Sequence, residues 1–198
     1  MAFIGMRHVV AAKIATETPG SALTYSAGMV VGKAIQGNLT WDRNDNPLYA
    51  DDAIAENDNG ATGGSIELIT DDLLDTVRAY LLGDEAITVG TGTSVTTEYE
   101  STEDPAPYVG FGYMRVRVKG GETSYQAVWY HKAQFGESNE NAQTKGQTIE
   151  WQTPTLTGKI MGVNDNASGQ IRFRRRATFE TAAAAIAWLD SKAGITNG

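Results

Sequence analysis

The sequence predicts a mainly β protein of the α+β class, an antiparallel β-sandwich or partly open barrel with one flanking helix and a second, C-terminal helix. Short stretches rich in β-branched or alternating residues recur between clusters of Gly, Asn, Asp and Pro, which is typical of strands and turns. Only two stretches have helical spacing, and they do not alternate with the strands as βαβ units would. The length of 198 residues fits one domain spanning residues 1–198.

Strands are expected over residues 6–15, 30–41 and 61–70 in the first part of the chain. In the third of these, Ile66 and Leu68 fall on one side and Glu67 on the other, as in a half-buried strand. Residues 42–61 have no clear period and are dense in Asn, Asp and Gly, so they are interpreted as a long loop. Loops of that length in a compact domain are usually functional or disordered. Later strands are expected over residues 147–152, 156–163 and 170–176.

The first helix is expected directly after Thr70, which can cap it, with Asp71 and Asp72 in the first turn, where the helix dipole favours anions. Gly83 is expected to end it. The apolar residues at helical spacing are Leu73, Leu74, Val77 and Leu81.

The second helix is expected near the C-terminus, with Thr178 or Thr181 as its cap and Gly194 at its end. Four consecutive alanines, residues 182–185, favour helix. The apolar stripe is formed by Ile186, Trp188 and Leu189.

Residues 108–135 predict a β-hairpin whose turn is Gly120-Gly121. Pairing outward from the turn places Arg117 opposite Ser124 and Arg115 opposite Gln126. Far from the turn both faces become apolar, so the hairpin needs either the second layer of a sandwich or a neighbouring subunit. The residues proposed for an inter-subunit contact on this hairpin are Phe111, Tyr113, Tyr125, Val128, Trp129 and Tyr130.

Charge is segregated along a chain whose formal net charge is −8. That balance argues against a protein that grips phosphate backbones, because such affinity comes from Lys and Arg. Separate patches of both signs suit a protein that binds copies of itself, although solvated loops would give the same pattern. The acidic segment contains Asp42, Asp45, Asp51, Asp52, Glu56 and Asp58, together with the apolar Leu48, Tyr49 and Ile54. The basic run contains Arg172, Arg174, Arg175 and Arg176, which strand alternation would divide between two faces.

No catalytic, cofactor or metal site is predicted. The chain has no cysteine, which excludes disulfides, thiolate ligands and a cysteine nucleophile. His8 and His131 lie in predicted strands, and neither a nucleophile elbow nor a zinc-ligand spacing accompanies them. Calcium-loop patterns fail at Ala55 and Arg175, where Asp and Glu are required. A calcium- or carbohydrate-binding sandwich and a hydrolase using acidic pairs remain as alternatives.

Several segments, in order along nearly the whole chain, resemble the major tail protein, or tail tube protein, of long-tailed, siphovirus-type bacteriophages. Two other stretches, residues 91–104 and the arginine run, have no counterpart in that resemblance, so they are assigned no role by it. The matching segments are Met1-Ala-Phe-Ile-Gly5, residues 47–53 (Pro-Leu-Tyr-Ala-Asp-Asp-Ala) with Glu56 and Gly60, residues 106–113 and 125–132, residues 145–147 with 152–154, and Phe179 with residues 187–189.

The resemblance implies a structural virion protein, not an enzyme. Such proteins close hexameric rings that stack into a tube, and DNA passes through this tube during ejection without specific binding. Partners would then be other copies of the chain, a tape measure protein inside, and terminator and tip proteins at the ends. No membrane association and no cofactor are expected, and the location would be the virion tail after synthesis in the bacterial cytoplasm. The loop over residues 42–61 is expected to be mobile in the free subunit and to order on stacking against bases such as the arginine run.

Overall fold

The computed structural model describes residues 2–89, 96–101, 103–136, 153–164 and 168–196. The fold is mainly β, with antiparallel sheets and two helices, which confirms the predicted class. The strands are β1 (Ala2–Thr16), β2 (Thr24–Gly32), β3 (Ala34–Arg43), β4 (Asn46–Ala50), β5 (Ala53–Asp58), β6 (Ala61–Thr70), β7 (Glu85–Val89), β8 (Thr96–Glu100), β9 (Tyr108–Lys119), β10 (Glu122–Gly136), β11 (Thr155–Met161) and β12 (Arg174–Phe179), and the helices are α1 (Asp75–Leu82) and α2 (Ala182–Ala193).

The main sheet has the strand order β2-β1-β9-β10-β11-β6-β3, and β12 also pairs with β10. The long strand β10 has β9 on one edge, while β12 and β11 share its other edge one after the other. Strand β3 lies at the end of the order, yet it packs against β1, where Gly37 lies close to the Met6 sulfur. The sheet therefore curls, and its two faces have different surroundings.

The two faces of β1, β9 and β10 contribute to two separate hydrophobic clusters. The inner cluster fills the concave side and also receives Val77 and Leu81 from α1. The outer cluster is covered by α2, which contributes Ala185, Leu189 and Ala193. The buried residues of β9 and β10 in the inner cluster are Val109, Phe111, Tyr113, Val128, Tyr130, Ala133 and Phe135, and those in the outer cluster are Met114, Ala127 and Trp129.

The hairpin over residues 108–135 is confirmed as β9 and β10. Gly120 and Gly121 both have positive φ, at 61° and 86°, as the tight antiparallel turn requires. Arg117 pairs with Ser124 and Arg115 with Gln126, in the predicted register. Local sequence was sufficient because the two-residue turn and strict alternation together determine the register.

The C-terminal helix is confirmed as well. Thr181 is its N-cap, and its side chain accepts a hydrogen bond from the Ala184 backbone N–H at 3.3 Å. Gly194 ends the helix in the left-handed conformation, as Gly83 does for α1.

The start of the first helix was predicted wrongly. Helix α1 begins at Asp75 after Leu74, without a side-chain cap, while Thr70 ends β6. Asp71 instead exchanges hydrogen bonds with Lys33, whose backbone N–H donates to the Asp71 carboxylate and whose carbonyl accepts from the Asp71 N–H. The same exchange withdraws Lys33 from the sheet, so the strand expected over residues 30–41 is divided between β2 and β3.

Other strand predictions hold in part. The strand over residues 61–70 is β6, and residues 6–15 lie within the longer β1. The strand expected over residues 156–163 is β11, followed by an isolated bridge between Val163 and Arg172. The strand expected over residues 170–176 begins only at Arg174. The strand expected over residues 147–152 lies outside the described residues.

Candidate functional site

Residues 42–61 form a β-hairpin rather than the predicted loop. Strands β4 and β5 pair with each other, and the turn between them is Asp51-Asp52, both with positive φ at 50° and 61°. Aspartate tolerates this left-handed backbone better than most residues, which explains a turn without glycine. A hydrogen bond of 2.9 Å from the Asn44 N–H to the Gly60 carbonyl joins the hairpin to β3 and β6. We call residues 44–60 the acidic hairpin.

The acidic hairpin is not covered by the rest of the described chain. Every residue from 48 to 60 is exposed. Its three large apolar side chains are among the most exposed of their kind, at 60% for Leu48, 65% for Tyr49 and 59% for Ile54. Tyr49 and Ile54 pair directly across the two strands. An isolated two-stranded hairpin is only marginally stable in water. Exposed apolar side chains on such a hairpin are typical of a surface that binds a partner.

The carboxylates of the acidic hairpin are not neutralised within the described part of the chain. Asp45 accepts a hydrogen bond from the Asn57 amide at 3.2 Å, and Asp58 accepts one from the Gly60 N–H at 3.1 Å. Among the described residues, Asp51, Asp52 and Glu56 form no ion pair. Asp42, at the end of β3, is exposed beside the hairpin. The hairpin therefore presents uncompensated negative charge around an apolar centre.

An inter-subunit contact needs exposed side chains, but the six residues proposed for it on β9 and β10 are buried or half-buried within the chain. Tyr125 is half-buried beside α2. The other five are at most 8% exposed inside the subunit's own core: Phe111, Tyr113, Val128, Trp129 and Tyr130. The two hydrophobic clusters of the chain itself bury both apolar faces of the β9–β10 hairpin. The five buried side chains are therefore not accessible to a neighbouring subunit.

The arginine run is divided between two faces, as alternation predicted. In β12, Arg174 pairs with Tyr130 and Arg176 with Val128, which places both arginines on the inner face of the sheet. Arg175 pairs with Trp129 on the outer face, and Arg172 lies before the strand. The Arg174 guanidinium lies 4.7 Å from the centre of the Trp41 ring.

A larger basic surface emerges when the strands are assembled. Arg115, Arg117 and Lys119 follow Tyr113 at alternate positions of β9, so they share the inner face with Arg174 and Arg176. We call these five cations the basic face. The alternate spacing in β9 was visible in the sequence, but its union with β12 depends on both strands pairing with β10.

Local contacts fix the position of the Arg115 side chain within the basic face. The Arg115 guanidinium donates two hydrogen bonds to the Gln126 side-chain oxygen, at 3.0 and 2.7 Å, and its centre lies 3.7 Å above the Phe3 ring. In the described part of the chain, the Arg117 Nε is buried without a hydrogen-bond partner. No ion pair among the described residues involves any of the five cations. Glu122, opposite Lys119 at the turn, is the acidic residue in these paired strands.

Tyr130 lies beside Arg174, on the same face of the sheet. Its hydroxyl is 3.2 Å from that of Tyr113 and within hydrogen-bond reach of Arg174. Burial raises the pKa of Tyr130 strongly, and the neighbouring Tyr113 raises it further, while Arg174 opposes both. The hydroxyl is therefore kept protonated, as part of the core rather than as an acid–base group.

The two histidines of the chain lie in β1 and β10. His8, in a left-handed conformation within β1, lies 2.7 Å from the Asp190 carboxylate of α2, and His131 is buried in β10. Ser101 donates to Asp84 at 3.2 Å in a cavity of about 620 Å³ whose lining contains no histidine among the described residues. In the part of the chain that the structure describes, no three His, Asp or Glu residues converge as a metal site would need.

Neither α1 nor α2, the helices of the described residues, has the length and apolar composition that a membrane span needs. No model of a known protein family matches the chain, and no curated protein matches it in sequence.

Proposed function

We propose that this chain is a structural protein that polymerises with copies of itself into stacked hexameric rings, forming the tail tube of a long-tailed bacteriophage. The observation that carries the proposal is the acidic hairpin, which keeps Leu48, Tyr49 and Ile54 exposed inside a rim of carboxylates. A surface with an apolar centre and a polar rim has the composition of a protein interface.

The kind of assembly follows from where the complementary charge lies. The acidic hairpin and the basic face are different regions of one chain, so a contact between them is heterologous rather than self-complementary. Heterologous contacts generate rings when the rotation closes and filaments when it does not. A tube of stacked rings needs contacts that close within each ring and contacts that continue from one ring to the next. This supports a tube more than a closed dimer.

The resemblance to tail tube proteins supports the same assignment. Residues 49–52 (Tyr-Ala-Asp-Asp) fall in the segment that resembles the family's motif, and they form the end of β4 and the turn of the acidic hairpin. In the resembled family, the corresponding long segment reaches the next ring. The partners proposed on this basis are other copies of the chain, with a tape measure protein inside and terminator and tip proteins at the ends.

The net charge of −8 suits a conduit for DNA. A polyanion is released by a wall that does not neutralise its phosphates, because phosphate affinity depends on Lys and Arg. Under this proposal the protein is not an enzyme, needs no cofactor, and acts in the virion tail after synthesis in the host cytoplasm.

Replacing residues 46–58 by a short Gly-Ser bridge tests the proposal. Neither hydrophobic cluster includes these residues, so the variant is expected to fold, with circular dichroism and melting temperature close to those of the unchanged protein. Electron microscopy and sizing should show tubes for the unchanged protein and none of normal length for the variant.

A matched control changes the same hairpin without touching its large apolar side chains or its acidic residues. Ala53→Ser with Ala55→Ser keeps both features, and both alanines are exposed, so this variant should assemble normally. Tubes of normal length from the Gly-Ser variant would contradict the role of the hairpin. An unchanged protein that stays small at every concentration would contradict the assembly itself and favour a binding module or an enzyme.

A further inference from the structure

Building on the proposed function, we infer that the basic face receives the acidic hairpin of a second copy of the chain. The receptor is thus formed by Arg115, Arg117 and Lys119 of β9 together with Arg174 and Arg176 of β12. Arg172 and Arg175, the rest of the arginine run, lie before β12 and on the outer face, and they are not part of it.

The geometry of the sheet gives the basic face a shape that suits a ribbon. Strands β9 and β12 lie on either side of β10, and neighbouring strands are about 4.8 Å apart, so the two rows of cations are separated by about 10 Å measured across the sheet. The two rows are staggered along β10. Arg174 and Arg176 lie opposite Tyr130 and Val128, and Arg115 and Arg117 lie opposite Gln126 and Ser124. A two-stranded hairpin lying obliquely across β10 would place one strand toward each row.

Charge complementarity identifies the occupant. The five cations are concentrated on one face of paired strands whose acidic residue is Glu122. Residues 42–58 have a net charge of −5, and their carboxylates form no ion pair with the described residues. Opposite patches of this kind steer association and determine which surfaces meet.

The apolar centre of the acidic hairpin also has a counterpart. Phe3 pairs with Arg117 at the edge of the basic face; the residue is 42% exposed, and the Arg115 guanidinium lies over its ring. An aromatic ring fixed in this way can pack against Leu48, Tyr49 or Ile54 while the charges around it pair. Apolar contact inside a charged rim is the arrangement that stable interfaces use.

Charge reversal in complementary pairs tests the inference. The face variant is Lys119→Glu with Arg176→Glu, at two exposed cations, and the hairpin variant is Asp45→Lys with Glu56→Lys. Each alone juxtaposes like charges, so each should raise the critical concentration for tube formation by about a hundredfold. Mixed in equal amounts, the two should assemble at nearly the normal concentration, since each variant's hairpin then fits the other's face. Light scattering and electron microscopy measure both effects.

The control reverses two exposed cations elsewhere, Lys33→Glu with Lys159→Glu, which changes the net charge by the same amount as the face variant. It should assemble as the unchanged protein does. If the face variant is misfolded by circular dichroism, Lys119→Gln with Arg176→Gln replaces it, with an expected increase in critical concentration of about tenfold.

The outcomes separate the inference from the proposed function. Tubes from the unchanged protein with normal assembly of the face variant, or with no rescue in the mixture, would overturn the inference and leave the proposed function standing. Failure of the unchanged protein to assemble would overturn the proposed function first. Submicromolar binding of short double-stranded DNA, lost in the face variant, would make the basic face a nucleic-acid site and overturn the inference.

Discussion

Two hairpins of this chain are built on the same turn geometry and end in opposite environments. Strands β9 and β10 meet at Gly120-Gly121, and β4 and β5 meet at Asp51-Asp52, with both turn residues at positive φ in each case. Far from its turn, the first hairpin is buried on both faces, with Trp129 and Tyr130 fully inaccessible. The second hairpin has exposed apolar side chains in both strands. The first therefore stabilises the subunit, while the second is available for other molecules.

The contrast between the two hairpins shows which apolar hairpin of a β protein is a candidate binding surface. An apolar, aromatic-rich hairpin resembles an interface when only its sequence is considered, because it needs cover on both faces. Here the inner cluster covers one face of the hairpin, and α2 covers the other. Exposure in the folded chain, rather than hydrophobicity, distinguishes a contact surface from a core.

The largest expected effect comes from placing a charge in each hairpin. Val128→Asp puts an unpaired carboxylate at a site that is 1% exposed, so it should reduce the free energy of unfolding by several kcal/mol or prevent folding. Ile54→Asp, at 59% exposure, should change it by no more than about 0.5 kcal/mol. Thermal melts of the two variants compare them directly. Equal effects would contradict the contrast between the hairpins.

An intermediate effect is expected from adding one methyl group. A Cβ at Gly112 would lie 2.7 Å from Trp129 Cε3 and 2.9 Å from the Val128 carbonyl oxygen, so Gly112→Ala should cost about 1–3 kcal/mol of stability. A Cβ at Gly60, at the base of the acidic hairpin, meets only the end of the flexible Asp58 side chain, at 3.2 Å. Gly60→Ala should change stability by less than about 0.5 kcal/mol. Urea titrations that gave the reverse order would show that the outer cluster is loosely packed.

The smallest effect concerns alkaline pH. An unfolded tyrosine ionises near pH 10, and burial raises the pKa of Tyr130 above that value in the folded chain. Between these pKa values only the unfolded chain releases the proton, so the free energy of unfolding falls as the pH rises above about 10. Tyr130→Phe should lose less stability than the unchanged protein between pH 9 and 11. Tyr49→Phe, at an exposed site, is the control, and denaturant melts at each pH would show a matching decline in all three proteins if Tyr130 were not buried.

The part of the fold that could be predicted is the part that local chemistry determines. Gly120-Gly121 and strict alternation specify the register of β9 and β10, and Thr181 with Gly194 defines both ends of α2. The break at Lys33 could not be found in this way, because it depends on hydrogen bonds to Asp71, a residue distant in the sequence.

The residues of the acidic hairpin could be predicted from the sequence, but their structure could not. The acidic segment and its apolar members were identified, but a hairpin exposed along both strands has no buried face to impose a period of two. Its Asp51-Asp52 turn also lacks the glycine that usually indicates a hairpin. The basic face combines β9 with β12, and their adjacency to β10 is a property of the sheet rather than of any local pattern.

The position of α2 after every strand in the sequence has a consequence for synthesis on the ribosome. Until residues 182–193 have been made, the outer side of β1, β9 and β10, including Trp129, has no helix to cover it. Strand β1 must likewise wait for β9, since Phe3 pairs with Arg117. Pairings so distant in sequence form slowly, so a nascent chain that still lacks α2 exposes apolar surface and is prone to aggregate.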